Sequence, residues 1–233
     1  MSEQLVLDLP QRVALGRDAF LVADSNLQAI ALIDAFCDWQ HPVQWLYGPA
    51  GCGKSHLAAV LAHQVEAVFI QASNLHDDPQ VAKILARDVS CDVVIIDGLD
   101  GLARAAEEVL FHLMNNAGHG GAAILMLSRQ PATRLPIALP DLASRLKAVP
   151  CVAVGRADDA LAADLLRKLF ADRQVIPDPR VIDFLLLRIE RDYAAMGRVV
   201  EAIDKAALAQ KRAITVPFVT TLLERHSFVI DDD

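Results

Sequence analysis

The middle of the chain, from Gln44 to Val154, alternates short apolar runs with helical patterns. The apolar runs are rich in branched side chains and end at turn residues, as buried strands do. We predict strands at residues 44–47, 68–71, 93–96, 122–127 and 151–154. Between them we predict helices at residues 56–62, 78–87 and 107–117. This alternation is typical of an α/β domain with a five-stranded parallel sheet.

After Gly155 the pattern becomes purely helical. Asp158 and Asp178-Pro179 have the residue types that begin helices, an N-cap carboxylate and a proline in the first turn. We predict four helices, at residues 158–172, 178–191, 193–211 and 215–225. The chain therefore divides into an α/β base at residues 13–155 and a small helical domain at residues 156–233. Residues 1–12 form a separate tail with its own apolar rhythm.

Composition and charge narrow the function classes. The 233 residues carry a net charge of −8, which argues against a domain-wide basic face for DNA and leaves a local basic patch open. No apolar run reaches the roughly 20 residues of a membrane-spanning helix, and the start of the chain lacks a basic signal-peptide region. The four cysteines stand alone, as expected of buried free thiols in a reducing compartment. We expect a soluble, cytoplasmic protein.

The segment Gly48-Pro49-Ala50-Gly51-Cys52-Gly53-Lys54-Ser55 matches the phosphate-binding pattern G-x-x-x-x-G-K-[ST]. Its glycines allow positive φ, so that backbone N–H groups turn inward on an anion. Lys54 supplies a cation to the phosphate oxygens, Ser55 a hydroxyl to Mg²⁺, and the following helix its positive end. A predicted strand before the loop and a predicted helix after it favour this interpretation over a chance glycine turn.

A second acidic motif follows the third predicted strand. Asp97 ends the run Val93–Ile96 at the carboxyl edge of the sheet, where such an aspartate holds Mg²⁺ in nucleotide-binding folds; a simple turn aspartate is the alternative. The next residue is Gly98, which cannot act as a general base. We therefore expect nucleotide binding with very weak intrinsic hydrolysis. Ser128, after the fourth predicted strand, is a candidate for contacting the γ-phosphate or a turn serine.

Six short segments follow one another along the chain: Phe20–Asn26, the phosphate loop, Phe111-His112-Leu113-Met114-Asn115, Ser128, Ser144-Arg145-Leu146 and Ala213–Val219. In their order and spacing they resemble the AAA+ ATPases, and within them the DnaA and Hda branch of replication initiators and regulators. The resemblance covers nearly the whole chain. It implies an AAA+ base with a helical lid that binds ADP or ATP with Mg²⁺. It also implies that Ser128 is sensor 1 and that Arg145 is an arginine finger acting in trans, although a surface salt bridge is the alternative for Arg145.

The resemblance also extends the nucleotide site beyond the loop. It implies that the Phe20–Asn26 segment contacts adenine, and we assign Val22 of this segment to nucleotide binding. We also assign His56, which directly follows the loop, to nucleotide binding. Ala194 occupies the position of the branch's sensor 2 arginine, so Arg191 or Arg198 is the substitute; we assign Arg198.

Gln4, Leu5, Leu7 and Leu9 resemble the sliding-clamp peptide of Hda proteins; an N-terminal edge strand is the alternative. Because only five residues follow Phe228, we expect no DNA-binding domain like that of DnaA. The resemblance thus implies a negative regulator that docks on the DNA-loaded clamp and stimulates hydrolysis of DnaA-bound ATP. The expected partners are DnaA, the polymerase III clamp and, through it, DNA, with self-association left open. Two alternatives remain: a self-sufficient ATPase that loads a helicase or clamp, and a DnaA-like DNA-binding module.

Overall fold

A computed structural model describes residues 21–190 and 192–226, without the side chains of Ala194, Arg225 and His226. Five parallel strands form one sheet in the order β2-β3-β4-β1-β5. The strands are β1 Val43–Tyr47, β2 Ala67–Gln71, β3 Val93–Asp97, β4 Ala123–Ser128 and β5 Cys151–Ala153. Each predicted strand is present, with bounds shifted by one residue at most at either end. The predicted five-stranded parallel sheet is confirmed.

Helices cover both faces of this sheet. They are α1 Leu27–Asp34, α2 Lys54–Ala62, α3 Pro79–Leu85, α4 Glu107–Gly118 and α5 Pro140–Leu146. Alternate side chains of β3 enter opposite cores: Val94 and Ile96 pack in the core that contains α3, α4 and α5 residues, and Val93 and Ile95 pack with α1 and α2. Because both faces of β3 are buried, neither face carries polar side chains, and residues 93–96 form a continuous apolar run.

The region after β5 is all-α and has its own hydrophobic core. Its helices are α6 Asp159–Ala171, α7 Pro179–Leu186, α8 Tyr193–Gln210 and α9 Val216–His226. Asp158 caps α6 by accepting a hydrogen bond of 2.7 Å from the Leu161 N–H, and Asp178 caps α7 through the Arg180 N–H at 3.0 Å. These caps satisfy N–H groups that the first turn of a helix leaves unpaired. The predicted helical domain after the α/β base is thereby confirmed.

Three details differ from the sequence-based expectations. The pattern missed α1 and α5 as helices, and α7 ends at Leu186 rather than near residue 191. All four cysteines are free, yet Cys37 and Cys151 are exposed and Cys52 and Cys91 only partly buried, so the expectation of buried thiols was wrong.

Across residues 21–190 and 192–226, no helix combines the length and the apolar character needed to cross a membrane.

Candidate functional site

The loop between β1 and α2 has the backbone of a phosphate cradle. Gly51 and Gly53 lie at φ values of +69° and +97°, in the left-handed region that favours glycine. Gly48 passes so close to the neighbouring chain that a Cβ there would lie 2.1 Å from the carbonyl oxygen of Val154. Gly53 is also the N-cap of α2, so the positive end of that helix opens onto the loop. The glycines are therefore required by conformation and by close approach.

Lys54 brings a buried cation to this loop. Its side chain is only 9% exposed, and its Nζ donates to the carbonyl oxygens of Gly48 at 2.9 Å and Pro49 at 2.8 Å. Carbonyl oxygens satisfy the donors of an ammonium group but do not neutralise its charge. A buried ammonium with this surrounding fits an anionic ligand such as a phosphate chain.

Ser55 and Asp97 meet at the carboxyl edge of the sheet. The Ser55 hydroxyl donates a hydrogen bond of 2.7 Å to Oδ2 of Asp97. A hydroxyl beside a carboxylate is an oxygen donor set that suits Mg²⁺, which retains waters and phosphate oxygens for its other positions. Within the described residues no cluster of three or more His, Cys, Asp or Glu could hold a metal by itself. The pair therefore fits a metal bound jointly by protein and phosphate.

The position directly after Asp97 does not carry a carboxylate that could activate a water. Gly98 occupies the next position, at φ +78°. The nearest acid along the chain, Asp100, accepts a hydrogen bond of 2.6 Å from the Arg129 N–H and so holds the turn after β4. The residue that follows Asp97 therefore cannot act as a general base.

Ser128 ends β4 beside Tyr47 of β1, but its hydroxyl is engaged with protein groups. Oγ accepts a hydrogen bond of 2.8 Å from the indole N–H of Trp45 and donates to the carbonyl oxygen of Gln130. The residue is 2% exposed. The sensor 1 role therefore stays a prediction, and this arrangement commits the only donor of the hydroxyl to Gln130.

A cavity of about 50 Å³ adjoins the loop, where the base meets the lid. It is lined by loop residues and by Leu21, His56, Gly155, Leu161, Leu165 and Tyr193. Val22 does not line it and is 53% exposed, whereas its neighbour Leu21 does. Burial lowers the pKa of His56, so the ring favours its neutral form. The assignment of Val22 to nucleotide binding therefore stays a prediction, and Leu21 is the residue of this segment that lines the cavity.

The lid approaches the loop through the first residues of α8. Tyr193 donates its N–H to the carbonyl oxygen of Gly51 at 3.3 Å and lines the cavity. Arg198 lies further along α8, is exposed and is not among the lining residues. Arg191 falls outside the described residues. Tyr193 was missed because a tyrosine at a helix start carries no motif.

Arg145 is exposed on α5 and is not among the residues that line the cavity beside the phosphate loop. Its guanidinium carbon lies 4.9 Å from the centroid of the Phe111 ring on α4. Among the described residues, no carboxylate lies within ion-pair distance of it. The salt-bridge alternative for Arg145 therefore finds no partner among those residues. Gln4, Leu5, Leu7 and Leu9 all lie outside the described residues.

Comparison with known proteins places these features in a family context. Residues 159–223 match the family model of the Hda lid domain, and residues 34–143 match that of the P-loop domain of the Holliday junction DNA helicase RuvB. An uncharacterized protein of Haemophilus influenzae is 26% identical, in an alignment that covers 96% of this chain and 99% of that protein.

Two solved structures show the fold. Domain III of the Thermotoga maritima replication initiation protein DnaA superposes with a TM-score of 0.80 at 16% identity, over 95% of this chain and all of that one. AMPPCP-bound DnaA from Aquifex aeolicus gives a TM-score of 0.63 at 18% identity, over 82% of this chain and 66% of that one. Together with the lid match, they confirm the resemblance to AAA+ proteins of the DnaA and Hda branch.

Proposed function

We propose that this AAA+ protein of the DnaA and Hda branch is a negative regulator of bacterial replication initiation, which acts by stimulating hydrolysis of ATP bound to DnaA. The Hda lid match and the DnaA-like fold support a replication-related role. The mechanism below rests on the site residues of this chain.

Nucleotide binding is the first element of the proposal. Lys54 and the N–H groups of residues 51–55 would hold the phosphates of ADP or ATP, and Ser55 and Asp97 would hold Mg²⁺. That metal ion would neutralise phosphate charge and fix the phosphate geometry. The AMPPCP-bound DnaA structure, which shares the fold, supports a nucleotide at this loop. Because Gly98 provides no base, the nucleotide would serve to hold the base and lid in one arrangement rather than to be consumed.

Arg145 is the observation that carries the proposal. Its exposed guanidinium lies over the Phe111 ring and has no carboxylate partner among the described residues. A stacked guanidinium keeps its N–H edge free for bidentate contact with phosphoryl oxygens. Presented to the ATP of a neighbouring subunit, such an arginine stabilises transition-state charge and accelerates hydrolysis by about 10³–10⁵-fold. We propose DnaA as that neighbour.

The N-terminal tail would bring the protein to the sliding clamp. Gln4, Leu5, Leu7 and Leu9 would dock in a groove of the DNA polymerase III sliding clamp as an extended peptide with alternate apolar anchors. DNA would then be contacted through the clamp, which accords with the net charge of −8. A self-sufficient ATPase that loads a helicase or clamp remains the alternative, and Gly98 argues against it.

The decisive experiment measures hydrolysis of DnaA-bound ATP in a reconstituted mixture of DnaA, this protein, ADP, clamp and primed DNA. We expect fast conversion to ADP only when all components are present, with each single omission returning the rate to that of DnaA alone. Turnover by this protein alone at a comparable rate would support the loader alternative. Equal rates with and without this protein would overturn the regulatory role.

A further inference from the structure

Two aromatic rings join the lid to the phosphate loop. The Tyr193 ring, at the start of α8, stacks on the His56 ring in α2, with centroids 4.9 Å apart and planes inclined by 25°. His56 is the second residue after Lys54, within the first turn of α2. The stack therefore links α2, which carries Lys54, with the start of α8 in the lid.

The same residue also contacts the other side of the loop. The Tyr193 N–H donates to the carbonyl oxygen of Gly51 at 3.3 Å. Through its ring and its backbone, Tyr193 thus contacts the loop both before and after Lys54. Gly51 and His56 lie on either side of the loop residues whose N–H groups would face the phosphates. Because both contact Tyr193, the position of this part of the loop is coupled to the position of α8.

Asp192, directly before α8, adds a second contact between the start of this helix and the phosphate loop. Its Oδ1 caps the helix by accepting a hydrogen bond of 3.1 Å from the Ala195 N–H. Its carboxyl also packs directly on Gly51, because a Cβ built there would lie 1.9 Å from Oδ2. Only a residue without a side chain allows α8 to approach this closely. Gly51 thus serves the lid contact as well as the turn.

We infer that Tyr193 is the residue through which the lid is positioned by bound nucleotide. This inference rests on the proposed nucleotide site. Ala194, at the sensor 2 position, has no side-chain donor for a phosphate, and Arg198 is not among the residues that line the cavity. Ligand at the loop fixes residues 51–56, Gly51 and His56 fix Tyr193, and Tyr193 fixes the start of α8. The lid thereby responds to an occupied loop through an aromatic contact and a backbone hydrogen bond.

The linkage is reciprocal, which gives a measurable consequence. If bound nucleotide favours the contact of Tyr193 with the loop, that contact must in turn favour nucleotide binding. Removing the Tyr193 ring should therefore weaken ADP binding by about three- to tenfold, the range that corresponds to an aromatic pair. Tyr193→Phe retains the ring and the N–H, so its ADP affinity should stay within about twofold of the wild type.

The test compares the full-length wild type with Tyr193→Ala, Tyr193→Phe and Phe184→Ala, titrated with ADP and Mg²⁺ in a calorimeter. Phe184→Ala is the matched control, since it removes a partly buried ring of the lid core away from the loop. The His56 ring protons report the stack directly by NMR. They should be shifted upfield in the wild type and in Tyr193→Phe, and should return downfield in Tyr193→Ala.

Each outcome bears on a definite claim. Weakened ADP binding with a lost ring-current shift in Tyr193→Ala alone supports the inference. Unchanged ADP affinity in a folded Tyr193→Ala protein, or equal weakening in Phe184→Ala, would overturn it while leaving the nucleotide site intact. Absence of ADP binding to the wild type would overturn the nucleotide site and, with it, the inference; the hydrolysis assay with DnaA tests the regulatory role independently.

Discussion

The indole N–H of Trp45 is hydrogen-bonded to the hydroxyl of Ser128, with 2.8 Å between Nε1 and Oγ. Both residues are almost completely buried, at 0% and 2% exposure. The bond joins β1, which leads into the phosphate loop, to the end of β4. A residue placed by motif at the γ-phosphate thus has a structural role in this chain.

Ser128→Ala should therefore lower stability more than it changes nucleotide preference. Trp45 would lose one acceptor but keep the carbonyl oxygen of Gln130 at 3.2 Å, so we expect a cost of about 1 kcal/mol. Urea denaturation would measure it, with the exposed Ser73→Ala as control. The ratio of ADP to ATP affinity should stay constant; a ratio that changes tenfold would instead establish Ser128 as a γ-phosphate sensor.

Lys54→Ala should weaken ADP binding by at least tenfold, because it removes the buried cation of the loop and charge-assisted hydrogen bonds are stronger than neutral ones. Calorimetry would measure the affinity. Lys147→Ala provides the comparison, since it deletes an exposed lysine of the same domain. ADP affinity that survives unchanged in a folded Lys54→Ala protein would remove the phosphate-loop assignment.

Gly98→Glu should raise the ATP turnover of the protein modestly, because it supplies the missing carboxylate, and should lower its stability. Its backbone lies at φ +78°, where a residue with a Cβ costs about 1–2 kcal/mol. A Cβ would meet only Gln71 Oε1, at 3.7 Å, so the expected loss of stability comes from the backbone and not from a clash. Thermal unfolding and ATP turnover by the purified protein would measure both effects. A large gain in turnover without loss of stability would show that the missing acid alone suppresses hydrolysis.

Arg145→Ala should abolish stimulation of DnaA-bound ATP hydrolysis while ADP affinity and stability remain close to wild type. Lysine at this position should rescue poorly, because a point charge cannot reproduce the planar two-donor contact. Arg188→Ala is a closely matched control, since it removes another exposed guanidinium stacked on a ring, 4.0 Å from the Phe184 centroid on the lid. Full stimulation by the Arg145→Ala protein would exclude the finger role.

Clamp binding should depend on the tail and not on exposed apolar residues elsewhere. Gln4→Ala, or Leu7→Ala combined with Leu9→Ala, should abolish retention by immobilised clamp and leave ADP binding unchanged. Leu187→Ala removes an exposed leucine of the lid, 78% accessible, and should bind the clamp normally. If the tail variants and Leu187→Ala bind equally well, the docking site lies elsewhere on the protein.

The sequence by itself determined the features that depend on short stretches of chain. A continuous branched run such as Val93–Ile96 can only be buried on both faces, so the sheet was predictable. Within the phosphate loop, Gly51 and Gly53 adopt positive φ values, which favour glycine through the local backbone alone. Asp158 and Asp178 cap helices through N–H groups two or three residues away. Local backbone sterics and hydrogen bonding fix all of these.

Only the tertiary structure decided which side chains meet across the fold. Trp45 reaches Ser128 from 83 residues away, and Tyr193 reaches His56 from another domain. Phe111 lies under Arg145 because α4 packs against α5, a helix that the pattern did not predict as one. Such contacts follow from the packing of whole elements, in which each helix position is set by many distant side chains at once. No periodicity or motif in one stretch contains that information.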